Sequence, residues 1–287
     1  MARPIYIVGA GRSGTSLLTW AVGQHPNIFV SPETPWLSAL LGYVGGIHRI
    51  GMSQSGGHFA LWDVSEVKFK EILGDGISQM MQRTFREKLP ELASELGASG
   101  LRWARGLNEP KFRWVDATPS HSGYELILGA MFPEARFINL VRNPDSVIRS
   151  YLTFEGRSIS NPIEATQWIY NTQRSGYYAH AAFEDRSIRV ILEQLLADPE
   201  AEMRRIYSFL DEDYCAHCLY AFEDKVNPST LPPNADELAI ALGSSEAKQM
   251  RDWYSKAISD PDWRLDSESE SIRTLKIFEK FKIPMPA

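Results

Sequence analysis

Residues 5–18, IYIVGAGRSGTSLL, constrain the fold more than any other part of the chain. A short apolar run rich in β-branched residues (5–9) ends in glycine, the pattern of a strand covered on both faces of a parallel sheet. Gly9 and Gly14 then frame a G-x-x-x-x-G loop, and residues 15–25 predict a helix that opens on it, with Leu17, Leu18, Ala21 and Val22 on one face. His25-Pro26-Asn27 is a turn signal that delivers a second strand at 27–31. Strand, loop, helix and strand within about thirty residues make a βαβ unit, which requires a parallel sheet and a right-handed crossover.

Three further strands follow from the same pattern, at 112–115, 136–141 and 187–192, the first interrupted by Arg113. Helices are predicted at about 121–131 and 144–154, and from Pro199 with Asp198 as its N-cap. Between 40 and 110 the pattern changes. Residues 42–59 read as a Gly/Ser-rich loop and 78–96 as largely helical, together an insertion over the sheet edge. From about 225 a Pro-rich stretch leads into short helices. The expectation is a single three-layer α/β domain over 1–287, of phosphate-loop type, with a central parallel sheet, a helical insertion and a C-terminal helical tail.

Composition narrows the partners. With 44% hydrophobic and 23% charged residues in 287, the chain has the make-up of a soluble globular domain. Its net charge of -6 argues against nucleic acid as a main partner. No window approaches the roughly 18 apolar residues that span a bilayer, so no membrane is expected. The N-terminus enters a strand at once without the form of a signal peptide, so a cytoplasmic location is expected. Cys215 and Cys218, with His217, form half of a metal-site pattern. No second Cys/His pair follows at the required spacing, so they read as packing residues of a helix and no metal is expected.

The loop itself departs from the nucleoside-triphosphate pattern, in which Gly14 would be followed by Lys and then Ser or Thr. Here Thr15 and Ser16 follow, and Arg12 sits inside the loop. Loop amides at a helix N-terminus suit any phosphate-like anion, whereas the lysine and a magnesium carboxylate serve triphosphates. The only strand-then-Asp candidate for that carboxylate is Asp116, and the strand at 136–141 ends in Arg142 instead. The loop therefore reads as a site for an anion that needs no metal. Arg142 leaves its strand at the C-terminal edge of the sheet, where ligands bind. Asn143 caps the next helix with Pro144 at its first position, and Ser150 lies two turns along. Arg offers a bidentate phosphate fork and Ser a hydroxyl donor. The plainer alternative pairs Arg142 with a surface carboxylate and makes Ser150 a packing residue.

Residues 4–37 resemble the N-terminal signature of sulfotransferases that use 3′-phosphoadenosine 5′-phosphosulfate (PAPS), and are most similar to the bacterial and tyrosyl-protein branches, which carry Arg-Ser-Gly-Thr in this loop. FPEARFINLVRNPDSVIRSYL (132–152) resembles the 3′-phosphate motif of that family, a strand ending in Arg with a Ser eight positions on. A weaker third match, at 187–210, has Leu192-Glu193 where the family has Tyr-Glu. The resemblance implies an enzyme that moves a sulfuryl group from PAPS to an acceptor hydroxyl, less readily an amine, without metal. It implies that Gly11, Arg12, Ser13, Gly14, Thr15 and Ser16 hold the 5′-phosphosulfate, that Arg142 and Ser150 hold the 3′-phosphate, and that Glu33 is the base. Position alone already puts Glu33 after the second strand, beside the loop; Thr15 and Ser16 read equally as helix caps.

His121 competes for the role of base, being the residue type suited to neutral pH, and Asp116 comes third. The family often has a lysine at the position of Ala117; Arg113 or Lys111 would have to replace it. His25 reads as structural, while His48 and His58 lie where they would touch an acceptor or solvent. Trp36, Tyr43, Phe59, Trp62 and Trp103 line an acceptor pocket or belong to the core, and Arg102, Arg105, Lys111 and Arg113 read as a solvated basic face. The acceptor is a small molecule, a glycan or a peptide. Two other function classes remain: a small-molecule kinase using ATP and Mg²⁺, supported by Asp116, and a non-catalytic nucleotide-binding protein, supported by Ala117.

Overall fold

The computed structural model describes residues 3–53, 57–95, 113–223, 232 and 234–265. Five strands, β1 (Ile5–Val8), β2 (Ile28–Val30), β3 (Arg113–Asp116), β4 (Arg136–Val141) and β5 (Ser187–Ile191), form one sheet in the order β2-β3-β1-β4-β5. Every pairing is parallel, with Ile5 opposite Val115 on one side and Arg136 on the other. The strands are short because each only has to cross a core covered on both faces. Their interior positions are nearly all buried, and these α/β layers make the three-layer architecture that the sequence predicts.

One face is covered by α1 (Thr15–Gly23), α8 (Leu192–Ala197) and α9 (Pro199–Phe209). There Leu18, Ala21 and Val22 meet Ile5, Ile138 and Val190. Asp198 caps α9 by accepting from the Ala201 amide, and Cys218 is buried in the same core on a 3-10 turn (Ala216–Phe222). Packing is thus the role that Cys218 has.

The other face is covered by α2 (Pro35–Ser53), α4 (Glu66–Glu95) and α5 (Glu125–Met131), and beyond them by α6 (Pro144–Leu152), α7 (Pro162–Ala182), α10 (Ala235–Gly243) and α11 (Ser245–Ser259). A single turn, α3 (His58–Leu61), joins α2 to α4. Two expectations are corrected here. The stretch read as a Gly/Ser loop is mostly helix, because α2 buries Leu37, Leu41 and Val44 one turn apart against Tyr6 and Phe29. Burial of that row outweighs the helix cost of its glycines, about 1 kcal/mol each. Helices α2 and α4 also cover the sheet face as well as its edge, since Phe69 and Ile77 of α4 join the same cluster and Phe85 stacks on Phe29 at 4.0 Å.

The long helix α7 has no counterpart in the sequence reading, although Asn161 caps it and Pro162 opens it. The two C-terminal helices are likewise core rather than appendage: Leu238, Met250 and Trp253 pack on Ile148 and Tyr177. Among the described residues no helix is long and apolar enough to cross a membrane.

Arg113, expected near the transferring group, lies instead at the opposite end of the sheet. It is 1% exposed, donates to the carbonyls of Arg3 and Leu210, and its Nη1 lies 3.2 Å from Glu212 Oε1. The strand starts at Arg113 because this charge is paired, not because it is tolerated in water. Burial lowers its pKa to about 10 against the opposing pull of Glu212. Glu212 also accepts from Asn27 Nδ2 at 3.0 Å, and His25, tilted against Tyr207, stands 3.8 Å from it. Removing one partner of a buried pair leaves an uncompensated charge. Glu212→Ala should therefore lower the unfolding free energy by about 3–5 kcal/mol in urea titrations. A change within experimental scatter would show that Arg113 finds other acceptors.

Candidate functional site

The loop, Arg142 and Glu33 all leave the same edge of the sheet, because β1, β4 and β2 are parallel and end there. Chain direction reverses around β1: α1 carries the chain to β2 across one face, and the later crossover to β4 runs on the other. That reversal opens a crevice at the C-terminal ends of the strands, the usual place for a ligand in such sheets.

Glycine is required twice in the loop. A Cβ on Gly9 would stand 2.5 Å from the Leu140 carbonyl oxygen, so the loop leaves β1 in close contact with β4. Gly14 has φ +92 and caps α1 without a side chain, leaving no acidic group in the first turn. The first-turn amides therefore face the crevice end of α1 with their partial positive charge. Arg12 adopts φ +71, a left-handed conformation that side chains seldom take. Such strain is held only where the surroundings over-determine it.

Those surroundings are specific. Arg12 Nε lies 3.2 Å from Ser150 Oγ, and its guanidinium sits over the Phe154 ring at 4.4 Å. Arg142 Nη1 donates to the Arg12 carbonyl at 2.7 Å. The structure thus brings together Arg12, Arg142 and Ser150, although 138 positions separate Arg12 from Ser150. Burial, with the nearby charge of Arg142, lowers the Arg12 pKa, while Glu193 partly offsets the effect of burial on Arg142. Both remain cationic at any ordinary pH. Two half-buried guanidiniums beside a helix N-terminus are the kind of chemistry that suits an anion.

Ser13 adds a further sign. It is 0% exposed and its hydroxyl has no partner among the described residues, a state that is rare without a ligand or water. Thr15 and Ser16 begin α1, and neither is its cap, since Gly14 holds that position. Gly11 lies against the Trp168 ring, where a Cβ would come within 3.0 Å. Asn143 caps α6 as expected, accepting from the Ser146 amide at 3.1 Å, with Pro144 at the first position. Glu193, at the weakest of the three matching segments, accepts from the Asn143 amide at 3.0 Å.

Glu33 lies between β2 and α2 and is exposed to solvent at this edge. Two strands separate β2 from β4, and β1 and β2 have β3 between them. At about 4.8 Å per step, Glu33 starts on the order of 10 Å from the loop.

His121 is placed differently. It is 3% exposed, its Nε2 is 3.1 Å from Thr34 Oγ1, and its Nδ1 is 3.9 Å from Asp116 Oδ1. Burial lowers its pKa below the ordinary imidazole value, against the opposing pull of Asp116 and Glu33. Asp116 is 1% exposed and accepts from Thr34 Oγ1 (2.6 Å), the Thr118 amide (2.8 Å) and the Thr118 hydroxyl (2.6 Å). Neither side chain is open to an acceptor, and the Asp116 oxygens are taken up by protein donors.

The remaining residues fall into place by packing. His48 lies 2.8 Å from the Val64 carbonyl, stacks on Phe59 and meets Phe69 at a tilt, so His48 is engaged by protein groups, and the partly buried Phe59 packs against the core. His58 is exposed against Trp62 at 4.1 Å, and Trp36, Tyr43 and Trp62 are 43%, 39% and 67% exposed. Ala117 packs against the core on the α1 side. Arg102, Trp103, Arg105 and Lys111 lie outside the described residues. Among those described, no group of three or more His, Cys, Asp or Glu converges as a metal site.

Phe154 and Thr34 were not singled out from the sequence. Phe154 lies just beyond the end of α6, after the Thr153 cap, where the helical spacing from Ser150 no longer applies. The partners of the Thr34 hydroxyl lie 82 and 87 positions away.

A sulfotransferase-family model matches residues 4–215. Protein-tyrosine sulfotransferase A of Caenorhabditis elegans is 25% identical over 72% of this chain and 49% of its own length. The Drosophila melanogaster protein-tyrosine sulfotransferase is 24% identical over 79% of this chain and 42% of its own. Nodulation protein NoeE of Sinorhizobium fredii (strain NBRC 101917 / NGR234) is 32% identical over 50% of this chain and 30% of its own. The chain therefore spans about half or less of these relatives. Among solved structures, the sulfotransferase domain of the Synechococcus PCC 7002 olefin synthase aligns with 20% identity and a TM-score of 0.47, covering 99% of this chain and 96% of that one.

Proposed function

The chain belongs to the sulfotransferase family, and from that premise we propose that it transfers the sulfuryl group of PAPS to an acceptor hydroxyl. The observation that carries the reading is the pairing of Arg12 with Ser150 and of Arg142 with the loop carbonyl, two cations gathered at one helix N-terminus. A nucleotide bearing both a 3′-phosphate and a 5′-phosphosulfate presents two anionic ends. Arg142 and Ser150 suit the first, and the loop amides, Arg12 and the Ser13, Thr15 and Ser16 hydroxyls suit the second.

The reaction is an in-line displacement. The acceptor oxygen forms a bond to sulfur as the bond from sulfur to the 5′-phosphate oxygen breaks, and the acceptor proton passes to Glu33. The leaving adenosine 3′,5′-bisphosphate takes the bonding pair, and its new charge falls on the loop amides and Arg12. As in phosphoryl transfer, the gain comes from positioning and electrostatics. A sulfuryl group carries less charge than a phosphoryl group, so these donors suffice without a metal. The acceptor is a hydroxyl, and the relatives named protein-tyrosine sulfotransferases make a tyrosyl peptide the first probe.

Calorimetric titration separates this reading from the kinase. Adenosine 3′,5′-bisphosphate should bind and ATP with Mg²⁺ should bind much more weakly; the reverse order overturns the assignment. Transfer from PAPS should also survive excess EDTA. Loss on chelation with recovery on Mg²⁺ would return the site to phosphoryl chemistry.

A further inference from the structure

The polar group buried behind Glu33 does more than fill the core. Residues 31–34 join β2 to α2, and both flanks of Glu33 are tied to β3 and the turn after it. The Ser31 amide donates to the Val115 carbonyl at 2.9 Å, and the Thr34 amide donates to Thr118 Oγ1 at 2.7 Å. The Thr34 hydroxyl has one proton, and the 2.6 Å contact gives it to Asp116 Oδ2. The 3.1 Å contact from His121 must then be an Nε2–H donating to Thr34 Oγ1, so a neutral ring carries its proton on Nε2. Asp116 in turn is held by both donors of Thr118. Thr34, Asp116, Thr118 and His121 are 1–5% exposed, whereas Glu33 between these anchors is open to the crevice.

We infer that Asp116 and His121 are positioning residues, which act through the Thr34 hydroxyl to hold the Glu33 carboxylate at its place on the sheet edge. The inference rests on the reading of Glu33 as base. It also gives His121 a role other than proton acceptor: its Nε2 is committed as a donor, and its Nδ1 faces a carboxylate rather than the crevice. A carboxylate displaced by an ångström from its working position loses much of its effect, up to about 10²-fold.

The test is a cycle of Thr34→Val and Glu33→Gln, with Thr34→Ser as the conservative partner. Turnover is read as transfer from PAPS to a tyrosyl peptide and as sulfate release to water, and folding is checked by calorimetric binding of adenosine 3′,5′-bisphosphate. Thr34→Val should lower kcat by about 10- to 100-fold with nucleotide affinity unchanged, and Thr34→Ser should restore most of it. In the Glu33→Gln background the same Thr34→Val change should cost little more, because residues that act as one unit are not additive. Equal losses in both backgrounds overturn the positioning role and leave the base intact. Normal turnover by Glu33→Gln, or no turnover by the unsubstituted protein on either acceptor, removes the premise instead. If Thr34→Val does not fold, His121→Ala against His121→Gln carries the same comparison, since Gln keeps a donor for Thr34. Equal loss in those two variants then overturns the inference.

Discussion

Arg142→Ala should weaken binding of adenosine 3′,5′-bisphosphate by about 10²-fold in calorimetry while the protein stays folded. A bidentate guanidinium on a phosphate makes two charge-assisted hydrogen bonds, each worth about 1.5–3 kcal/mol, so even the low end amounts to about 3 kcal/mol. The fold should survive because Arg142 lies beyond β4 and is only half buried, and its one protein acceptor shown is the Arg12 carbonyl. Arg142→Lys should fall between the two, keeping the charge and losing the fork. Adenosine 5′-phosphosulfate, which lacks the 3′-phosphate, should bind the unsubstituted protein far more weakly than PAPS does, and Arg142→Ala should hardly weaken it further. Equal affinity for the two nucleotides would remove Arg142 and Ser150 from the site. Ser150→Ala should have a smaller effect, since it removes one neutral donor and the acceptor of Arg12 Nε.

What the sequence disclosed follows the distance over which each feature is determined. The strand, loop and helix at 5–23 and the strand, Arg142, Asn143 and Pro144 run are local: hydrophobic period, glycine position and capping residue lie within a few positions of one another. Two such local units hold the residues that the structure brings together, Arg12, Arg142 and Ser150. The misread parts depend on partners far along the chain. Arg113 looked like an interruption of β3 because Glu212, 99 positions away, was not visible to a local reading. His121 looked like a base because its residue type suits one. Only contacts over 82 and 87 positions, from Thr34 to Asp116 and to His121, show it engaged elsewhere. In α2 the glycines at 42, 45, 46 and 51 spoke for a loop, and a buried row supplied by tertiary packing spoke for a helix. Cβ atoms on Gly45 and Gly46 would meet nothing within 4 Å, so these glycines reflect open space rather than a turn.

Glu33→Gln should lower kcat by about 10² to 10⁴, the range for loss of a positioned general base, and leave the affinity for adenosine 3′,5′-bisphosphate unchanged. The substitution keeps the shape of the side chain and its place between Ser31 and Thr34, whose bonds to β3 and Thr118 run through backbone groups and hydroxyls that the change does not touch. It removes only the capacity to take a proton. The size of the loss depends on the acceptor. An alkyl alcohol cannot leave its proton behind unaided and should show the full effect, whereas a phenol, already more acidic, should show less. The ratio of the two losses, measured with a hydroxyalkyl and a tyrosyl acceptor, therefore reads proton transfer directly, and a merely structural defect would depress both alike. His121→Asn offers the opposing case. If His121 were the base, that variant would be inactive and Glu33→Gln would turn over normally; such a result would require His121 to leave a site in which it is 3% exposed and bonded to Thr34.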